Sequence, residues 1–242
     1  MTAAPEPLRP NRRTADVNGI LIPSTHPLAS VAIAIAAVIV ITLVGFTLGT
    51  VDLGLAKALN GLHTGALGAF SSAVYHVISP APAIGITVVV TAVIWWRGRD
   101  IRPAAAFAGT IAITWLPSAV VKEIVHRARP DVHVLPHPFP VQPDPGYPSG
   151  HTVYITVFVI ALVWLLRDTR WHRLARTLGV IVIVVVFFAV TIDAVHYPTD
   201  ALASILWAAA IAPGVRVVWV DWLMPKIPFL RPDATGRRAV RS

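Results

Sequence analysis

Residues 29–49 carry no charged side chain, and the run is as long as the roughly 20 residues that take a helix across a hydrocarbon core of about 30 Å. Comparable apolar runs follow at 81–96, 104–125, 150–166, 177–195 and 201–219. Across the chain 55% of residues are hydrophobic and 13% are charged, against about 25% charged in soluble domains. The expected fold is therefore all-α: a polytopic membrane protein with a six-transmembrane-helix bundle. Residues 29–220 form that membrane domain, between an N-terminal tail at 1–28 and a basic C-terminal tail at 221–242, disordered beyond Lys226.

Two boundaries need comment. Residues 67–79 are also moderately apolar, so the second helix either starts near 81 or begins earlier and kinks at Pro80 and Pro82. Between Thr50 and Gly65 the spacing is amphipathic and predicts a segment lying along the surface. Gly45 and Gly49 have the small-xxx-small spacing used in helix packing.

The chain has no cysteine, which excludes disulfides, thiolate metal sites and a cysteine nucleophile. His133 and His137 are four apart, yet the proline-rich loop around them does not support the helix that would aim both at a metal; no metal or other cofactor is expected. Nor does the net charge of +8 point to nucleic acid, because the cations lie in short clusters beside the apolar runs. Arg9, Arg12 and Arg13 precede the first run, and Arg97, Arg99 and Arg102 follow the second. Arg167, Arg170, Arg173 and Arg176 follow the fourth, and Arg216, Lys226, Arg231, Arg237, Arg238 and Arg241 end or follow the sixth. The positive-inside rule puts all four groups and both termini in the cytoplasm, with the first run retained as an anchor in the plasma membrane. The opposite face keeps Lys57, Lys122, Arg127 and Arg129, three of them in one place.

On that extracytoplasmic face three polar clusters converge: KEIVHRARP (Lys122–Pro130), PSGH (Pro148–His151) and HYPTD (His196–Asp200). Lys122 and Arg129 are seven apart, two turns along one helix face, and a point cation beside a guanidinium suits phosphate. Ser149 is a preferred N-cap, Gly150 lets an anion approach the backbone, and a helix N-terminus adds free N–H donors. His151, in the first turn, is placed to protonate a leaving oxygen. His196 and Asp200 are spaced i, i+4, so the carboxylate can accept from one ring nitrogen and leave the other as nucleophile or base. Any one of these residues alone reads as an ordinary interfacial group. Together they imply phosphoryl transfer.

The three clusters resemble the motifs of the type 2 phosphatidic acid phosphatases, which share their constellation with vanadium haloperoxidases. Lys122, six residues and Arg129-Pro130 match the first motif; Pro148-Ser149-Gly150-His151 match the second; His196, three residues and Asp200 match the end of the third. The resemblance implies that His196 forms a phosphohistidine, Asp200 orients it, and His151 protonates the leaving group. It also implies that Lys122, Arg129, Ser149 and Gly150 hold the phosphate of a lipid substrate such as phosphatidic acid, phosphatidylglycerophosphate or a polyprenyl pyrophosphate. Where the third motif has Ser-Arg, this chain has Ala189 and Val190. A missing charge-assisted hydrogen bond, worth about 1.5 to 3 kcal/mol, lowers the rate by roughly ten- to hundredfold or more. Arg127 is the candidate replacement on the phosphate. Asp193, within an apolar run, either shares the orientation of His196 or repels the phosphate. Two alternatives to a phosphatase stand beside it: a phosphoryl transferase using the same site, and a catalytically weak lipid-phosphate-binding protein.

Overall fold

The computed structural model describes residues 18–231, which fold into eight α-helices and several short 3-10 or π turns. The helices are α1 (Pro27–Thr47), α2 (Leu53–Asn60), α3 (Gly65–Val77), α4 (Pro80–Gly98), α5 (Ile101–Val125), α6 (Gly150–Leu165), α7 (His172–Ile192) and α8 (Pro198–Arg216). Five segments, α1, α4, α5, α7 and α8 with its continuation to Lys226, are long and apolar enough to cross a membrane, and α6 is a shorter apolar helix. A helix stands at each of the six expected spans.

The local sequence explains the boundaries. Ser79 is extended before Pro80 at the first helical position, where a proline forfeits no intrahelical bond, so α4 starts there without a kink and α3 is a separate helix. The Asp100 side chain accepts from Arg102 N at 2.9 Å and starts α5. His126, at φ 51°, ends α5 in the left-handed conformation four residues before Pro130. The helix therefore stops short of Arg129, and the expectation that Lys122 and Arg129 share one helical face is corrected.

Helix α6 lies at the centre, packed against α5, α7 and α8; α1 packs on α8, α4 on α5 and α3 on α7. A Cβ added at Gly214 would stand 2.6 Å from Ala34 Cβ and 2.7 Å from Ser30 O, so this glycine sets the approach of α8 to α1. Gly45 packs against a ring and a helix end: its added Cβ would be 2.5 Å from Tyr147, whose hydroxyl donates to Ile41 O at 2.6 Å, and 2.9 Å from Val125 of α5. Outward faces of α1 and α4 expose Ile35, Ile39, Leu43, Val88 and Val89, as lipid contact requires.

At the end of the bundle remote from the polar clusters, the Arg216 guanidinium donates to Ile20 O at 2.9 Å and to Ile22 O, and pairs with Asp221 at 3.1 Å. Met224 and Leu230 are buried. Residues 221–231, expected to begin a tail, instead pack on the bundle through Met224 and Leu230, while Trp222, Leu223 and Phe229 stay exposed. Of the tails expected at 1–28 and 221–242, residues 1–17 and 232–242 lie outside the described residues.

Candidate active site

The third cluster takes its shape from the exit of α7. Ala194 is left-handed at φ 49°, a conformation that costs an alanine about 1 kcal/mol or more, and it turns the chain so that His196 N donates to Val190 O at 3.3 Å. His196 is fully buried. Its Nδ1 donates to Gly146 O at 2.7 Å, while Nε2 faces Arg129 Nη1 at 3.4 Å. Burial, reinforced by Arg129, Lys122 and His151, holds the ring well below the ordinary histidine range, so it stays neutral with the Nε2 lone pair turned to Arg129.

Asp200 does not make the expected bond to His196. The nearest approach is 3.9 Å, beyond hydrogen-bond range. The Gly146 carbonyl already takes the Nδ1 proton, and the carboxylate accepts instead from Tyr197 N at 2.9 Å and Arg127 Nη1 at 2.5 Å. Space is tight between them, since a Cβ on Gly146 would come within 3.1 Å of Asp200 Oδ2. Asp200 thus acts on the start of α8, and through it on the loop that holds His196.

Arg127 is not directed at a phosphate. Its guanidinium, 3% exposed, donates to Gly49 O at 2.9 Å, Thr199 Oγ1 at 2.7 Å, Asp200 Oδ1 and Asp52 Oδ1 at 2.9 Å, and it lies 4.3 Å over the Tyr197 ring. Asp52 also accepts from Thr199 N at 2.8 Å. These bonds consume the arginine and close the space around α8, which corrects its expected role as a phosphate ligand.

Lys122 and Arg129 do converge, on a residue outside all three motifs. Lys122 Nζ donates to Asp144 Oδ2 at 2.6 Å, and Arg129 Nη2 to Asp144 Oδ1 at 2.8 Å. Arg129 Nε reaches Asp144 O at 2.9 Å and Nη1 reaches Val195 O at 2.5 Å. Burial opposes ionisation of Asp144, but the hydrogen bond and charge of Lys122, with Arg129, hold its carboxyl below the usual carboxylate range.

Ser149 caps α6, accepting from Thr152 N at 3.4 Å and Thr152 Oγ1 at 3.1 Å, and Gly150 is the first helical residue. His151 follows in the first turn, its ring centroid 6.3 Å from that of His196 and stacked 4.2 Å from Tyr75. Its Nε2 is buried and has no partner within the protein. Lys122, Arg129, Ser149, Gly150, His151 and His196 therefore surround one small region. Asp144, Gly146 and Tyr75 were not found by sequence reasoning; each comes from a loop or helix lacking a local motif, and its partner lies far along the chain.

Asp193 turns to α3. Its Oδ1 accepts from Ser71 Oγ at 2.5 Å and lies 3.4 Å from His63 Nε2, while Oδ2 is buried without a partner. The contact fastens the end of α7 to α3. Val190, where the motif has arginine, is fully buried among apolar side chains.

A model of the PAP2 superfamily matches residues 103–223, which include all three clusters. Among solved structures, the chain is similar to the first transmembrane PAP2 type phosphatidylglycerolphosphate phosphatase from Bacillus subtilis. The TM-score is 0.63 at 17% identity, over 80% of this chain and 96% of that one. No curated protein matches.

Proposed function

The chain belongs to the PAP2 superfamily, and we propose that it is an integral-membrane phosphatase removing phosphate from a lipid phosphate or pyrophosphate through a phosphohistidine. The carrying observation is the state of His196: Nδ1–H is held by Gly146 O, and Nε2 faces the arginine that would grip the phosphate. In this reading Nε2 attacks the terminal phosphorus and its P–O bond to the leaving group breaks, the lipid hydroxyl of a monophosphate or the lipid-linked phosphate of a pyrophosphate. His151, as the imidazolium that the negative charge of the bound phosphate favours, gives its Nε2 proton to the leaving oxygen and becomes the neutral ring. Water then attacks the phosphohistidine, His151 takes a proton from it, and phosphate is released with Nε2 restored. Lys122, Arg129, Ser149 and the Gly150 N–H neutralise the equatorial oxygens, as phosphoryl transfer demands. These cations supply the positive charge, so the reading requires no added metal.

The substrate class is phosphatidic acid, phosphatidylglycerophosphate or polyprenyl pyrophosphate. The similar Bacillus subtilis protein is described as acting on phosphatidylglycerolphosphate, which supports placing that lipid in the panel. The distribution of arginines supports an extracytoplasmic site in the plasma membrane with both termini inside. The test is phosphate release by purified protein in detergent with a chelator, on a panel of these lipids, alongside His196→Ala. Release that the substitution abolishes is expected; release equal in both proteins sinks the phosphohistidine.

One observation favours a second reading, a catalytically weak lipid-phosphate-binding protein. Val190 is buried and Arg127 is committed to Asp52, Thr199 and Asp200, so neither restores the missing arginine. Saturable binding of a lipid phosphate with no turnover in the same panel selects it.

A further inference from the structure

Asp144 makes one bond from each carboxylate oxygen to a different cation, Lys122 at 2.6 Å and Arg129 at 2.8 Å. A phosphate held by the same two residues would use two of its oxygens in the same way. Carboxylate and phosphate therefore compete for one pair of donors. Their exposures differ: the Asp144 side chain is 44% exposed, the Lys122 and Arg129 side chains 12% and 11%. The carboxylate has an aqueous alternative, whereas each half-dry cation needs an anion opposite it.

The surrounding loop keeps the carboxylate close at hand. Pro143 and Pro145 flank Asp144, Gln142 accepts from Tyr75 OH at 3.1 Å, and Phe139 packs edge-on against Tyr75 at 5.2 Å. Arg129 Nε holds the Asp144 main-chain oxygen at 2.9 Å, so the side chain can swing out while its backbone stays tethered. A tethered competitor acts at a high local concentration that does not depend on protein dilution.

We propose that Asp144 is a built-in counter-anion of the phosphate site, displaced by the phosphate of an incoming substrate and competing with product phosphate as it leaves. The proposal rests on reading Lys122 and Arg129 as phosphate ligands. It gives the site two occupied states, one closed by its own carboxylate and one by phosphate, so the cations are never left bare. A ligand that binds only when the carboxylate is away has its affinity reduced by the fraction of time the site is free; a carboxylate seated nine-tenths of the time weakens binding about tenfold.

The experiment measures inorganic phosphate binding by calorimetry to the full chain in detergent, for wild type, Asp144→Asn and Asp144→Ser. Thermal unfolding identifies which variants are folded. About tenfold tighter binding to either folded variant is expected, with a matching fall in the product-inhibition constant of phosphate. Equal or weaker binding overturns the proposal and makes Asp144 a brace that orients the two cations. Absence of binding to all three proteins overturns it as well. The lipid panel is scored separately: tighter phosphate binding without lipid turnover defeats the phosphatase reading alone, whereas lipid turnover without tighter binding defeats this one alone.

Discussion

At Arg127 the number of neighbouring carboxylates decides the residue's role. It is bonded to Asp52 and Asp200 with side-chain exposures of 3%, 11% and 0% respectively, so removing it leaves two poorly hydrated negative charges facing each other near the start of α8. Breaking a buried pair from one side costs about 3–5 kcal/mol. Arg127→Ala is therefore expected to lower the thermal midpoint sharply and lose activity through misfolding of the 196–200 loop. Arg127→Ala in an Asp52→Asn background should recover part of that stability; an Arg127→Ala protein as stable as wild type contradicts the network. An arginine two positions before a motif arginine looks like a second phosphate ligand, and only the fold reveals carboxylates 75 residues before it and 73 after it. The i, i+4 spacing of His196 and Asp200 was equally legible but insufficient, because Gly146, 50 residues from His196, takes the proton first.

Among the helices, legibility follows chemistry along the chain. All six spans were readable from apolar length, and the α6 start from Ser149 and Gly150, because both signals are local. The break between α3 and α4 was ambiguous because prolines at a helix start and prolines at a kink look alike until the neighbouring turn is known. Close approaches between helices were legible only at Gly45, from its spacing to Gly49. Gly214 is an ordinary glycine in sequence, yet a Cβ there would meet Ala34 and Ser30 of α1. Gly214→Val is expected to prise α8 from α1 and destabilise by about 1–3 kcal/mol, an overpacking cost. Gly85→Ala, where an added Cβ meets nothing within 4 Å, should leave the midpoint unchanged. Comparable midpoints for the two variants would remove the close-packing account of this helix pair.

For the whole molecule, the absence of cysteine makes membrane sidedness directly measurable. A single cysteine at the exposed Val141, near Asp144, should react with a membrane-impermeant thiol reagent in intact cells. One at Trp171, between α6 and α7, should react only after the membrane is opened. The reverse pattern inverts the proposed orientation. One dimension of the bundle bears on how such a protein would meet its substrate. Helix α6 has 16 residues, about 24 Å, whereas α5 has 25, about 37 Å. A helix shorter than the hydrocarbon core is matched by local thinning of the bilayer, which draws lipid head groups to the level of its polar N-terminus. Encounters then take place in a plane rather than a volume. The velocity of such a reaction follows the mole fraction of substrate among its neighbouring amphiphiles, and adding detergent at constant substrate concentration slows it by dilution of a surface.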